Sequence, residues 1–350
     1  MEFGIGLIGE HQAQRMCELC HLIESSGFDQ IWVSDERFYR DVFVNMTLAV
    51  CLTRKVKVGS MVTDPFVRHP AVTAAAAASV DELSGGRCIL GMGAGVSGFE
   101  ELGIQRTRPA LAIKEAVQLI HRMTRGEKDI VFEGESMRFR GGHLNFPALR
   151  PVRVYVAGRG PRVLEIAGEV ADGVVIGSYA SPRGIAWGLD CAARGARRAG
   201  RSLSEIAKVS WLYTSISSDG QRARDAVRTG VAVAMWGSHK ILPQIGVRLP
   251  PDVLRIMEER SYSYEVISYL SQQIPDELLE EFSIAGTVDE VTSKLIRIGR
   301  MGIGQAAMWL FPPQGERLEA VLESLCRDVL PRVRSALSDD ASGLHRGMPD

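Results

Sequence analysis

The chain has 350 residues, of which 45% are hydrophobic and 24% are charged, and its formal net charge is −1. This composition is typical of a globular enzyme, and the length allows one large domain or two smaller ones. Because 41 Lys and Arg residues are balanced by 42 Asp and Glu residues, no basic surplus favours binding to nucleic acid or to an anionic membrane. The first residues lack a signal-peptide pattern and no apolar run is long enough to span a bilayer, so we expect a cytoplasmic protein.

The six cysteines are scattered along the chain, as is typical of reduced thiols. One group, Cys17 to His21, has the C-x-x-C-H spacing of a haem-attachment motif. It lies in a helical apolar pattern, where cysteine is a small core residue, and this favours a structural role over haem attachment. No group of His, Cys, Asp or Glu has the spacing of metal ligands, so no metal is predicted.

Apolar strands alternate with helical patterns along the chain. The predicted strands, in chain order, are 3–8, 30–33, 56–60, 88–92, 152–157, 173–177, 208–217 and 305–310. The predicted helices are 11–26, 47–53, 70–83, 110–125, 161–170, 183–199, 222–236, 288–298, with Thr287 as its N-cap, and 317–329. Residues 130–139 alternate in polarity and are followed by glycine, which predicts an additional hairpin.

Eight strands alternating with helices predict an α/β protein with the (β/α)8 TIM-barrel fold. We expect a single barrel domain over residues 1–333, with an inserted helical segment at about 237–284 near the barrel mouth. The remaining residues, 334–350, lack apolar periodicity and are predicted to form a flexible C-terminal tail.

Side chains just beyond the carboxyl ends of barrel strands face the active site. Asp35 and Glu36 follow the second predicted strand, where one carboxyl group can orient a reactant while the other transfers a proton or stabilises a cation. A solvent-exposed acidic pair explains them equally well at this point. The other candidate positions at strand ends are Met61, Val62, Thr63, Asp64, Gly93, Gly95, Ala157, Gly158, Gly177 and Ser178.

The segment Gly158-Arg159-Gly160-Pro161-Arg162 has the properties of an anion-binding loop. Glycine lets backbone N–H groups approach an anion, proline suits the first position of a helix, and a helix N-terminus favours negative charge. The two arginines add positive charge. An ordinary strand-to-helix turn with two solvated arginines remains the alternative interpretation.

The glycine run at 91, 93 and 95 is similar to a dinucleotide-binding fingerprint but does not match it. The third glycine of that fingerprint falls on Val96, and the preceding strand is the fourth rather than the first. We therefore interpret the run as a backbone clearing beside a flat ring.

Several segments of the sequence together form a recognisable set. They are Phe3–Ile5, Trp32–Asp35, Val62–Ala71, Asp81–Arg87, Gly91–Gly95, Val154–Gly158 with Gly160 and Pro161, Ala171–Gly173 and Ala285–Thr287. On these segments the chain, from Met1 to about Leu330, resembles the bacterial luciferase-like family of (β/α)8 oxidoreductases. Within that family it is most similar to the methylenetetrahydromethanopterin reductase branch, which uses the deazaflavin coenzyme F420.

The resemblance implies a cofactor site at the strand ends. In the family, the third strand ends in a bulge with a cis peptide bond that supports the central ring of the cofactor, and the matching bond here is Met61–Val62. Thr63 and Asp64 would then lie at the ring. The 158–162 loop, with Gly177 and Ser178, would hold the phosphate of the cofactor side chain.

Three positions depart from the pattern of the reductases. Glu36 stands where F420-dependent relatives commonly have histidine, Val96 stands where the reductases have an acidic residue, and Gly6 stands where the methanopterin reductases have glutamate. The acidic groups associated with a pterin substrate are therefore missing or moved, and Glu36 is the remaining candidate for proton transfer.

The resemblance implies an F420-dependent oxidoreductase that transfers hydride to or from a C=N or C=C carbon of a small molecule. A monooxygenase of the same family that uses reduced FMN is the first alternative. A cofactor-binding protein without catalysis is the second, and a non-redox barrel enzyme would require an accidental likeness. Family members also suggest a homodimer and a separate enzyme that reduces the cofactor.

Overall fold

The computed structural model describes residues 1–95 and 97–345, which form two compact units. The N-terminal unit comprises Gly4–Val175 and Leu189–Ala207. The C-terminal unit comprises Met1–Phe3, Ile176–Gly188 and the chain from Lys208 onward.

The N-terminal unit contains most of the alternating strands and helices. The strands that lie wholly or mostly in this unit are β1 (Glu2–Leu7), β2 (Gln30–Val33), β3 (Lys57–Ser60), β4 (Cys88–Met92), β5 (Ile130–Glu133), β6 (Arg138–Gly142), β7 (Arg153–Gly158) and β8 (Gly173–Gly177). Its helices are α1 (Ala13–Ser25), α2 (Val42–Leu52), α3 (Pro70–Ser84), α4 (Pro109–Thr124) and α5 (Pro161–Val170). Strands β1, β2, β3, β4, β7 and β8 are neighbours in that order, with parallel pairing from β1 to β7, whereas β5 and β6 form a separate antiparallel hairpin.

The C-terminal unit is built on three parallel strands, with β10 and β11 pairing to either side of β9. The strands are β9 (Ala207–Ile216), β10 (Ser283–Gly286) and β11 (Gln305–Leu310). The helices from this part of the chain are α6 (Pro182–Arg198), α7 (Gly220–Ser238), α8 (Pro251–Glu259), α9 (Tyr264–Gln273), α10 (Asp276–Phe282), α11 (Val288–Arg300), α12 (Leu318–Ser324) and α13 (Leu330–His345). The predicted insertion is thus helical, and a π-helical segment, Leu325–Val329, joins the last two helices.

The alternation of parallel strands with helices confirms the α/β class and the (β/α)8 barrel fold that the sequence predicts. All eight predicted strands and the hairpin are present. Thr287 caps α11 as predicted, and its side chain and that of Glu290 bond each other's backbone N–H groups. Within the described residues, no helix is both long and apolar enough to cross a membrane.

Helix α2 begins at Val42, five residues before the predicted start at Thr47. The reason is Asp41, whose carboxylate accepts hydrogen bonds from the backbone N–H groups of Phe43 and Val44 at 2.9 and 3.2 Å. This cap satisfies donors at the helix start that have no partner within the helix.

The predicted tail is helical as far as the structure describes it, because α13 runs to His345. The Asp340 side chain in α13 accepts a hydrogen bond from Arg300 of α11 at 2.9 Å. This contact depends on a partner 40 residues away, which apolar periodicity does not reveal. The last five predicted tail residues, 346–350, lie outside the described part of the chain.

The cysteines of the C-x-x-C-H motif lie in α1, as the sequence predicts. Cys20 is fully buried, and burial raises the pKa of its thiol to about 12. A buried thiol of this kind is unreactive and packs as a small apolar side chain.

Candidate active site

The third strand ends in a bulge at the predicted position. Pairing between β3 and β4 stops after Gly59 and Ile89 and resumes at Thr63 and Met92. One strand therefore advances by four residues where its partner advances by three, which is the definition of a β-bulge. The peptide bond Met61–Val62 within the bulge is cis, as the family resemblance implies.

A serine side chain holds the two strands together where the backbone ladder is interrupted. Ser60 is fully buried, and its hydroxyl donates to the Gly91 carbonyl at 2.9 Å and accepts from the Gly91 N–H at 3.0 Å. A Cβ atom at position 91 would lie 2.0 Å from the Ser60 carbonyl oxygen. The role of Ser60 cannot be predicted from the sequence pattern, because it depends on this close approach of the two strands.

Three predicted cofactor residues meet beside the bulge. A Cβ atom at Gly93 would lie 2.7 Å from Val62 Cγ2 and 3.3 Å from the carbonyl oxygen of Ala157. The ends of β3, β4 and β7 thus form a small apolar surface, which we call the platform: Val62, Gly93 and Ala157. Met61 is buried beneath the bulge, and its N–H donates to the Val33 carbonyl at 2.7 Å.

The polar groups after β2 and β3 form one network. The Thr63 side chain hydrogen-bonds to the Asp35 carboxyl group. Arg37 donates to the Asp35 carbonyl at 2.8 Å, lies 3.9 Å from an Asp35 carboxylate oxygen and pairs with Asp64. The other Asp64 oxygen accepts from the backbone N–H of Phe66 at 2.7 Å, which fixes the turn that follows.

The environment of Asp35 shifts its protonation equilibrium. Burial raises the pKa of this carboxyl group; the Thr63 hydrogen bond and the Arg37 charge oppose that effect, and the charges of Asp64 and Asp41 add to it. The pKa is raised overall, so Asp35 retains a proton at higher pH than an exposed aspartate does. A perturbed carboxyl group at a strand end is a typical feature of an enzyme site.

Glu36 is half-buried and lies next to Asp35 in the chain. Its carboxylate accepts a hydrogen bond from the hydroxyl of Ser97, which follows β4. The structure therefore joins the loops after β2 and β4 through these two side chains. Val96, where the sequence departs from the reductase pattern, lies outside the described residues.

The predicted anion-binding loop has the expected local geometry. Strand β7 ends at Gly158, Gly160 is the N-cap of α5, and Pro161 occupies the first helical position. Among the described residues, no side chain caps this helix. Arg159 is half-buried and Arg162 is exposed, so the helix N-terminus combines backbone donors with two positive charges.

The last two predicted cofactor residues belong to the C-terminal unit. Gly177 ends β8, and Ser178 follows it as a fully buried residue with a φ of +61°. Their part in holding a phosphate group stays a prediction.

The fold and the strand-end network define a barrel enzyme whose polar groups surround an apolar platform. Comparison with known proteins narrows this class. A family model described as luciferase-like monooxygenase matches residues 1–305. A 5,10-methylenetetrahydromethanopterin reductase from Archaeoglobus fulgidus is 30% identical over 340 residues, which cover 95% of this chain and 100% of that protein.

Two further relatives extend the comparison. An F420-dependent glucose-6-phosphate dehydrogenase from Nakamurella multipartita is 30% identical over 281 residues, which cover 76% of this chain and 81% of that protein. The solved structure of the coenzyme F420-dependent tetrahydromethanopterin reductase from Methanopyrus kandleri aligns with a TM-score of 0.82 and 27% identity, covering 95% of this chain and 99% of that one. The chain belongs to the luciferase-like family, and it is an oxidoreductase.

Proposed function

We propose that this protein uses coenzyme F420 to transfer hydride to or from a C=N or C=C carbon of a small molecule. The observation that carries the proposal is the platform of Val62, Gly93 and Ala157 beside the Asp35–Thr63 network. It offers an apolar face for a flat ring together with polar groups at the ring edge. Relatives whose names include F420-dependent activity support the same cofactor.

The residues at the strand ends fit such a cofactor. The platform would support the ring face, and Thr63 and Asp64 would lie at its edge. The loop 158–162 would bind the phosphate group through backbone N–H groups and arginine charge. When bound, F420 supplies the hydride chemistry, while the protein orients the reactants and excludes water.

The carboxyl groups after β2 would handle the proton that accompanies the reaction. Glu36 would donate a proton to the substrate or stabilise a cation, and the Ser97 hydroxyl holds its carboxylate in place. Asp35, with its raised pKa, would orient the substrate through a hydrogen bond from its carboxyl group. General acid catalysis of this kind contributes about 10²–10⁴-fold to a rate.

The position where the methanopterin reductases have a glutamate is Gly6, which lies in β1, pairs with Trp32 of β2 and carries no carboxyl group. We therefore define the substrate only by its electrophilic C=N or C=C carbon. We further propose a cytoplasmic homodimer that works with a separate enzyme for reducing the cofactor.

The competing function is that of a monooxygenase dependent on reduced FMN, which the description of the matching family model favours. The two are separated by titrating the purified protein with F420 and with FMN, each oxidised and reduced, and following cofactor fluorescence. We expect saturable binding of F420. Tight binding of FMN alone would overturn the F420 assignment, and F420 binding without turnover of any imine or enone would leave a cofactor-binding protein.

The loop at the start of α5 gives a second test. Arg159→Glu reverses a charge beside the proposed phosphate, and we expect it to weaken F420 binding by about tenfold or more, since each charge-assisted contact contributes on the order of 1.5–3 kcal/mol. Arg153→Glu is the matched control, because Arg153 begins the same strand, β7, at its opposite end. Equal affinities for the two variants would refute the phosphate assignment.

A further inference from the structure

Arg37 is the central charged group beneath the loop that follows β4. Only 8% of its side chain is exposed. It pairs with Asp64, donates to the Asp35 carbonyl at 2.8 Å, and its guanidinium carbon lies 4.9 Å from the centre of the Phe99 ring. A single side chain thus contacts the segments that follow β2, β3 and β4.

The backbone after β4 passes close to Arg37 and Phe99 at two glycines. A Cβ atom at Gly98 would lie 2.3 Å from Arg37 Cγ, and one at Gly95 would lie 2.7 Å from Phe99 Cζ and 3.1 Å from Arg37 Nη2. Both glycines have positive φ angles, +73° and +64°, which other residues rarely adopt. The local sequence is therefore adapted to the presence of the arginine side chain.

A second arginine holds the same loop from outside. Arg106 donates to the Gly95 carbonyl at 2.6 Å, and its guanidinium carbon lies 4.7 Å from the centre of the Phe99 ring. Phe99, which is 6% exposed, is therefore in contact with two cations. Because the face of an aromatic ring attracts cations, these two contacts hold Phe99 and the loop that carries it.

Ser97 lies between these two anchored glycines, and its hydroxyl donates to Glu36. We propose that Arg37 is a positioning residue: by holding the loop at Gly95, Gly98 and Phe99, it keeps Ser97 on the Glu36 carboxylate and so orients that group for the reaction. The step at Glu36 rests on the proposed function. The hold of Arg37 on the loop rests on the contacts alone.

A double-mutant cycle tests whether Arg37 affects the reaction rate through Glu36. We expect Arg37→Gln to lower kcat by at least about tenfold, because a small misplacement of a reacting group has a large effect on rate. Ser97→Ala should reproduce this loss of kcat while the Kd for F420 changes by less than about twofold. In the Glu36→Gln background, Arg37→Gln should lower kcat no further. Multiplicative losses in the double variant would overturn the proposal.

Hydrogen exchange of the cofactor-free protein tests the loop directly. Backbone amides of residues 97–106 should exchange about tenfold faster or more in Arg37→Gln, since local opening exposes them to solvent. Arg327→Gln removes an exposed arginine that forms an ion pair with its neighbour Asp328, and it is the matched control. If Arg37→Gln does not fold, Arg37→Lys keeps the charge opposite Asp64 and should show the same faster exchange.

The two readouts separate the two claims. If the wild-type protein neither binds F420 nor turns over a substrate, the proposed function fails, and faster exchange in the Arg37 variant still supports the anchoring of the loop. If the wild-type protein is active and exchange at residues 97–106 is unchanged in the variant, the positioning role of Arg37 is wrong.

Discussion

At the scale of single residues, three side chains carry most of the charge at the strand ends. Asp35, Asp64 and Arg37 lie together in a partly desolvated network, where the charge of Arg37 lowers the pKa of Asp35 and the charge of Asp64 raises it. One cation facing two carboxyl groups leaves an excess of negative charge. This arrangement suits a site where a carboxyl group at a strand end keeps a proton during the reaction cycle.

Asp35→Asn tests the energetic cost of this arrangement. Because burial raises the pKa of Asp35, its favourable contribution to stability is complete below the ordinary aspartate pKa and is lost as the pH rises through the folded-state pKa. We expect Asp35→Asn to raise the Tm at pH 7 and the gain to disappear as the pH falls below 3.8, the ordinary value. Activity should fall, as is common when a strained site is relieved.

Thermal melts from neutral to acidic pH compare the Tm of Asp35→Asn with that of the wild type. Asp129→Asn is the control, since Asp129 is exposed and has a positive φ of +49° that asparagine tolerates. A lower Tm for Asp35→Asn than for the wild type at pH 7 would mean that the charged form of Asp35 stabilises the fold.

The sequence predicts some residues of the site and not others, for a physical reason. Asp35, Thr63 and Asp64 are found because each directly follows an apolar strand, and the position of a strand end is a local property. The structural roles of Ser60 and Phe99 depend on partners far along the chain, or on a close approach of two backbones. Neither is visible in periodicity or composition.

At the scale of elements, one carboxylate of α4 holds the turn of the β5–β6 hairpin. Glu115 of α4 is 6% exposed, and it accepts hydrogen bonds from the backbone of Glu135, Ser136 and Met137 at 2.8, 2.9 and 3.2 Å. Burial raises the pKa of Glu115, but these bonds and that from the Ser136 hydroxyl outweigh it and lower the pKa. The turn between the strands is thus built around a buried charge.

Glu115→Gln should destabilise the protein by about 2 kcal/mol at pH 7, because an amide cannot accept with both ends and hydrogen bonds to a charged group are worth about 1.5–3 kcal/mol. A lowered pKa contributes stability above the ordinary glutamate pKa, and this is lost as the pH falls through the folded-state value. The difference from the wild type should therefore shrink as the pH falls below 4.5, the ordinary value. Urea unfolding measures the loss of stability at pH 7 and its change with pH. Glu258→Gln on the exposed face of α8 is the control.

The sequence predicts best those strands whose apolar run has clear ends. Strands β2, β4 and β8 match their predicted bounds because apolar runs end there at polar or glycine residues. Strand β11 also matches, and Phe311 and Pro312 follow it. The sequence does not predict strand β10, because its four residues, Ser283–Gly286, are too few to show an alternating apolar pattern. Its pairing with β9 stabilises it, and such pairing is a tertiary effect.

At the scale of the whole molecule, the chain combines a widely used fold with a specific arrangement of strand ends. Fold alone does not determine chemistry, and the family includes oxidoreductases with different cofactors. What distinguishes this chain is the set of groups around the platform: Glu36, the Asp35 network and an uncapped helix with two arginines. These features favour a reductase that protonates its substrate.

Ligand-linked stability provides a test on the intact protein without a known substrate. A ligand that binds only the folded state stabilises it by RT ln(1 + [L]/Kd), which is about 2.7 kcal/mol at one hundred times the Kd. For a chain of this size, that corresponds to a rise in Tm of about 5 °C. We expect F420 to raise the Tm in this way, with a shift that grows with the logarithm of its concentration, and Arg159→Glu to require a higher concentration for the same shift. FMN at equal concentration should leave the Tm unchanged, and a larger shift with FMN than with F420 would assign the platform to a flavin and the protein to the monooxygenases.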